Sequence, residues 1–180
     1  MKTKLITRYF PLIKNYLLLI LMFLCLFSCT SINEKKVQPR DANLDSLLSS
    51  IKAVDKQFSP DTRSVYLILP NEGCEGCIST AEQYVLSNFK KNENMKFIFT
   101  RITSKKILKA KLTDSVLRYP NILLDTINLI SFPDKSKSIY PLVVLVEKGN
   151  VVDLVYQSPE ENGLDFINSK WKFSGKNESE

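Results

Sequence analysis

An α/β domain is predicted over residues 43–173, and three observations carry the prediction. Short β-rich apolar runs at 64–69, 95–101 and 142–146 alternate with stretches whose apolar residues recur at helical spacing. A hairpin and then a capped helix close the chain. The order is helix, strand, helix, strand, helix, a short extra strand, hairpin and helix, which is the pattern of an α/β layer fold. Composition agrees, because 44% hydrophobic and 24% charged residues in a chain of 180 suit one ordinary hydrophobic core.

The first 28 residues stand apart from that domain. Lys2, Lys4, Arg8 and Lys14 precede any acidic residue, and twelve unbroken apolar residues follow at 16–27 (YLLLILMFLCLF). A basic start and an apolar run within ~7–15 residues, short of the ~18 that span a bilayer, predict an export signal. Leu26-Phe27-Ser28-Cys29 resembles the bacterial lipobox, which implies cleavage before Cys29 and acylation of that cysteine. Loss of the four early cations lowers the formal charge from +6 to +2. The near-neutral remainder gives no electrostatic case for nucleic acid, whose binding rests on cations that neutralise phosphates. Residues 29–42 are polar, aperiodic and contain Pro39, and are expected to form a tether.

The elements of the domain follow in order. Leu44, Leu47, Leu48, Ile51, Val54 and Phe58 fall on one face of a predicted helix over 43–58, which Pro60 closes. Residues 64–69 (SVYLIL) have the composition of a buried strand, and Pro70-Asn71-Glu72-Gly73 breaks it. A helix is expected after Cys74-Glu75-Gly76-Cys77, with Ile78, Ala81, Val85 and Phe89 on its apolar face. Residues 95–101 (MKFIFTR) form the next strand, with Met95, Phe97 and Phe99 at core spacing. Thr103 or Ser104 caps a helix carrying Leu108, Leu112 and Val116, which Pro120 stops. The lysines of that helix, Lys105, Lys106, Lys109 and Lys111, read as a solvated face. Residues 121–125 suit a short strand and 126–138 a loop. Residues 142–146 (LVVLV) and 151–156 flank a turn at 147–150, as in a hairpin. Ser158-Pro159-Glu160-Glu161 has the form of a capping box for a last helix with Leu164, Ile167 and Trp171 on one stripe, and 174–180 is expected to be a disordered tail.

The chemistry available is narrow. There is no His, which removes Ser-His-Asp and Cys-His catalysis and any metal site built on imidazole. Of the four cysteines, Cys25 leaves with the signal and Cys29 is committed to lipid, so Cys74 and Cys77 remain as one CxxC pair. Zinc would need two further ligands, and the mature chain offers neither another Cys nor any His. The pair lies directly after a strand and at the start of a helix, where orphan amides and the helix dipole favour a thiolate. This position predicts an exposed, reactive Cys74 and a Cys77 covered by the helix. Two readings stay open: a redox pair, or a fixed structural disulfide in a non-catalytic binding or accessory lipoprotein. A two-residue loop gains little from cross-linking entropy, which favours the redox reading.

The segment 64–77 (SVYLILPNEGCEGC), the hairpin 140–152 (YPLVVLVEKGNVV) and the last helix together resemble the thioredoxin-like superfamily. The resemblance implies a three-layer sandwich with a central mixed sheet flanked by helices, and makes the helix over 43–58 an N-terminal addition. It also implies an attacking Cys74, a resolving Cys77, and a cis-proline facing them at Pro141. The expected activity is thiol-disulfide exchange with other envelope proteins, drawing electrons from a membrane or thioredoxin-type donor, with no cofactor and no metal. The sequence departs from the superfamily pattern at Gly73, where an aromatic residue is usual, and at Ile68, where a buried acid is usual. Glu72 and Glu75 are then the nearest candidate proton acceptors. An adjacent Glu75 opposes the thiolate at Cys74, and a less stabilised thiolate makes the couple more reducing. The place expected is the cell envelope membrane, lipid-anchored, with the domain facing the periplasm.

Overall fold

The computed structural model describes residues 41–170. The signal 1–28, nearly all of the tether, Trp171 and the tail 174–180 lie outside the described residues.

The first helix, α1, covers Ala42–Val54. Asp41 caps it by accepting from the Asn43 amide (3.0 Å), so the last two residues assigned to the tether belong to the helix. The helix stops at Val54, four residues before the predicted end at Phe58, because Asp55 has a different task. Its carboxylate is buried, accepts from the Tyr66 hydroxyl (2.8 Å) and pairs with Lys96 Nζ (2.6 Å). Burial first, and then the Asp55 carboxylate, push the Tyr66 phenol well above its ordinary pKa and keep it a donor. Phe58 still packs on the core from outside the helix.

Strand β1 (Ser64–Pro70) is buried along its whole length and lies at the centre of the sheet. Helix α2 (Glu75–Asn88) follows, then β2 (Met95–Thr100), α3 (Lys105–Leu117) and β3 (Ile122–Leu124). Ser104 is the cap of α3, and Thr113 interrupts it with a left-handed φ of 65°. After a long loop come β4 (Leu142–Glu147), β5 (Asn150–Tyr156) and the last helix, α4 (Gly163–Lys170). The strands form one mixed sheet in the order β3-β2-β1-β4-β5. β1, β2 and β3 run parallel, whereas β4 is antiparallel to both β1 and β5. The β4–β5 turn holds Lys148 and Gly149 at φ 49° and 70°, the backbone that a two-residue hairpin needs.

Strand alternation divides the core in two. Val65, Leu67, Leu69, Phe97, Phe99, Val143 and Leu145 point to the face covered by Ala81 and Val85 of α2, Leu108 and Leu112 of α3, and Leu164 and Ile167 of α4. Tyr66, Ile68, Ile98, Leu142 and Val144 point to the other, covered by Leu47, Leu48 and Ile51 of α1 and by Phe132 of the loop. The domain is therefore a sheet with three helices on one face and one on the other.

The last helix corrects the sequence reading. Ser158 Oγ does accept from the Glu160 and Glu161 amides (3.3 and 3.1 Å), but it closes a turn and not a helix. Glu161 is drawn away from the box: its carboxylate accepts from the Tyr156 amide (3.1 Å) and pairs with Lys137. That pair and the Tyr156 amide lower the Glu161 pKa, and the same pairing raises that of Lys137. α4 starts at Gly163 instead, with Asn162 Oδ1 accepting from the Asp165 amide (3.2 Å).

Candidate functional site

β1 ends at Pro70, which has no amide to extend the ladder, and the Asn71 amide makes the last bond to the Thr100 carbonyl (2.9 Å). The chain then turns through Gly73 at φ +145°, beside the loop that leads into β4. A Cβ at Gly73 would lie 2.2 Å from the Ile139 carbonyl oxygen, so only glycine fits there. This explains why an aromatic residue is missing at that position. The Cys74 amide donates to the same Ile139 carbonyl (3.1 Å).

Cys74 is the N-cap of α2, in extended backbone (φ −70°, ψ 99°), and its side chain makes no capping hydrogen bond. It is joined to Cys77 by a disulfide across a Cα–Cα distance of 5.4 Å, inside the ordinary range. The sequence pattern expects one exposed and one covered cysteine, but both are partly buried. Bonded to each other, the two side chains share the first turn of α2, and a Gly76 side chain would begin in open space, clear of every atom outside its chain neighbours and its own helix backbone. Opening the bond would leave a Cys74 thiolate at a helix N-terminus, where the unpaired amides of the first turn stabilise an anion.

The surroundings are acidic and open. Glu72 and Glu75 are exposed, make no ion pair among the described residues, and line a cleft of about 520 Å³ with Asn71, Gly73, Ile78, Ser79 and Lys111. Lys111 does not balance them, since its Nζ is held by Glu82 (3.0 and 3.3 Å). Neither Glu72 nor Glu75 is hydrogen-bonded to a cysteine, and Ile68 is fully buried among apolar neighbours, so no buried acid replaces them from β1. A second cavity, of about 240 Å³ beside Lys96 and Asn121, lies at the other end of the strands and holds no cysteine.

Pro141 is buried just before β4, but the contact with Cys74 is made two residues earlier, by Ile139. The Tyr140–Pro141 bond is trans, as are all peptide bonds of the described residues, contrary to the cis bond that the resemblance implies. Tight turns closed by Ser138 N–H to Lys135 (3.3 Å) and Tyr140 N–H to Lys137 (3.0 Å) aim the Ile139 carbonyl at Cys74 with trans peptides throughout. Ile139 and Gly73 thus belong to the site although nothing in the sequence alone assigns them a role. Glycine directly before the first cysteine was the one available signal. Among the described residues no cluster of three or more metal-ligating side chains forms, and no helix is long and apolar enough to cross a membrane. No family model, no curated protein and no solved structure matches this chain.

Proposed function

We propose that the protein is a lipid-anchored, thioredoxin-like thiol-disulfide oxidoreductase of the cell envelope that works mainly in the reducing direction. The observation that supports this reading is the Cys74–Cys77 disulfide at the junction of a buried central strand and a helix N-terminus, with both residues partly open to solvent. In the reduced protein the Cys74 thiolate attacks one sulfur of a substrate disulfide and expels the other as a thiolate. Cys77, after giving up its proton, attacks Cys74 and releases the second substrate thiolate. Two electrons pass to the substrate, and the Cys74–Cys77 bond re-forms. Glu72 and Glu75, close to the pair in sequence and exposed, take the Cys77 proton through solvent in this scheme. A membrane or thioredoxin-type dithiol donor would return the two electrons.

A redox titration tests the reading. The pair is expected to open reversibly in a dithiol buffer, with Cys74 alkylated much faster than Cys77 and an apparent Cys74 pKa below the ~8.5 of a free thiol. Its potential should lie nearer the ~−270 mV of reducing couples than the ~−120 mV of strong oxidants. Glu75→Gln should move it in the oxidising direction by removing a charge that opposes the thiolate. A pair that resists reduction, or two thiols alkylated equally and slowly, would replace this reading with the structural disulfide.

The anchor is a separate part of the proposal, because Cys29 lies outside the described residues. Mass spectrometry of the mature chain should find Cys29 as an acylated N-terminus, and Cys29→Ala should abolish both the acyl mass and the cleavage. An unmodified N-terminus downstream of Cys29 would remove the anchor.

A further inference from the structure

We propose that Arg101 is a positioning residue for the Cys74–Cys77 pair: it fastens the loop whose carbonyl holds the Cys74 amide. The inference rests on the redox reading above. Arg101 directly follows β2 and has a left-handed φ of 53°, a conformation unfavourable for a residue that carries a side chain. The strain is held by a bond from the Arg101 amide to Asn128 Oδ1 (3.0 Å). The side chain reaches the loop that precedes β4. There the guanidinium donates to the Ser138 carbonyl (3.0 Å) and sits over the Phe132 ring at 5.1 Å.

Ser138 is joined by one peptide to Ile139, whose own carbonyl accepts the Cys74 amide and lies against Gly73. Two consecutive carbonyls of the loop are therefore used in series, the first by Arg101 and the second by Cys74. On the far side Gln157 N–H fixes the Pro141 carbonyl (2.7 Å), so the Ser138–Pro141 stretch is pinned at both ends. Arginine suits the near end because its flat fork both donates to the carbonyl and stacks on the ring. Through this chain Arg101 sets where Cys74 stands at the α2 N-terminus, and with it how well the first-turn amides stabilise the thiolate.

The test compares full-length wild type, Arg101→Gln, Arg101→Lys and, as a destabilised control away from the site, Lys96→Met. Two readouts are taken on the folded protein: the pH profile of Cys74 alkylation, and the equilibrium with dithiothreitol. In that equilibrium two electrons from the dithiol open the protein disulfide as dithiothreitol closes its ring. Arg101→Gln should raise the midpoint of the alkylation profile and shift the equilibrium about tenfold towards the protein disulfide, equivalent to ~30 mV in the reducing direction. Arg101→Lys keeps charge and stem but not the fork, and should shift it by about threefold. Lys96→Met should leave both readouts at wild-type values. Arg101→Gln, or Arg101→Lys should the first not fold, matching wild type in both would overturn the inference while the redox reading stood. A wild-type pair that never opens in dithiothreitol would overturn both.

Discussion

If the proposed exchange operates, Cys77→Ser should leave the protein covalently attached to its substrates. In the exchange scheme the first attack needs only Cys74, but release needs a second thiolate within reach of the Cys74 sulfur. Cys77 is placed for that task, since the two residues already close a bond on the first turn of α2. A serine hydroxyl does not displace a thiolate at neutral pH, so the mixed disulfide persists until a reductant is added. Turnover on a protein disulfide should fall by at least about a hundredfold, the scale on which loss of one reacting group shows in enzyme kinetics. Adducts should appear on non-reducing gels of envelope extracts and collapse with dithiothreitol. Cys74→Ser/Cys77→Ser removes the attacking group too and should show none. Absence of adducts from Cys77→Ser, with folded and acylated protein in hand, would favour an accessory lipoprotein with a structural staple.

The largest loss of stability is expected from Lys96→Met. Lys96 Nζ lies 2.6 Å from Asp55 Oδ2, and the two side chains are 12% and 1% exposed. Removing the cation leaves a carboxylate deep in the domain with the Tyr66 hydroxyl and the Gln57 amide (3.0 Å) as its remaining donors among the described residues. Breaking one side of a buried pair costs about 3–5 kcal/mol, several times the cost of losing an exposed ion pair. With a urea m-value of ~2 kcal/mol/M, the unfolding midpoint should drop by roughly 2 M. The redox properties of the remaining folded protein should not change. Lys96 stands at the start of β2, whereas the cysteines follow the end of the parallel strand β1. A midpoint within 0.5 M of wild type (about 1 kcal/mol at that m-value) would mean that the pair contributes no more than an exposed one.

The sequence by itself determined the layer pattern and the place of the cysteines. Short apolar runs rich in β-branched residues, such as 64–69 and 142–146, suit buried central strands, and they are β1 and β4. Local chemistry also placed a helix cap at Thr103 or Ser104, of which the structure uses Ser104, and the turn at 147–150, because both depend on neighbours in the chain. Tertiary structure decided whatever depended on distant partners. α1 ends early because Asp55 finds Tyr66 and Lys96, 11 and 41 residues away. The capping box at Ser158 fails to start a helix because Glu161 is engaged by Lys137 and the Tyr156 amide. The same holds at the candidate site. Cys74 and Cys77 were legible from their spacing, but not the roles of Gly73, Ile139 and Arg101, which arise only where a loop some sixty residues downstream lies against the turn before α2. Short-range periodicity records which face of an element is buried; a backbone carbonyl brought to a distant amide leaves no periodic trace.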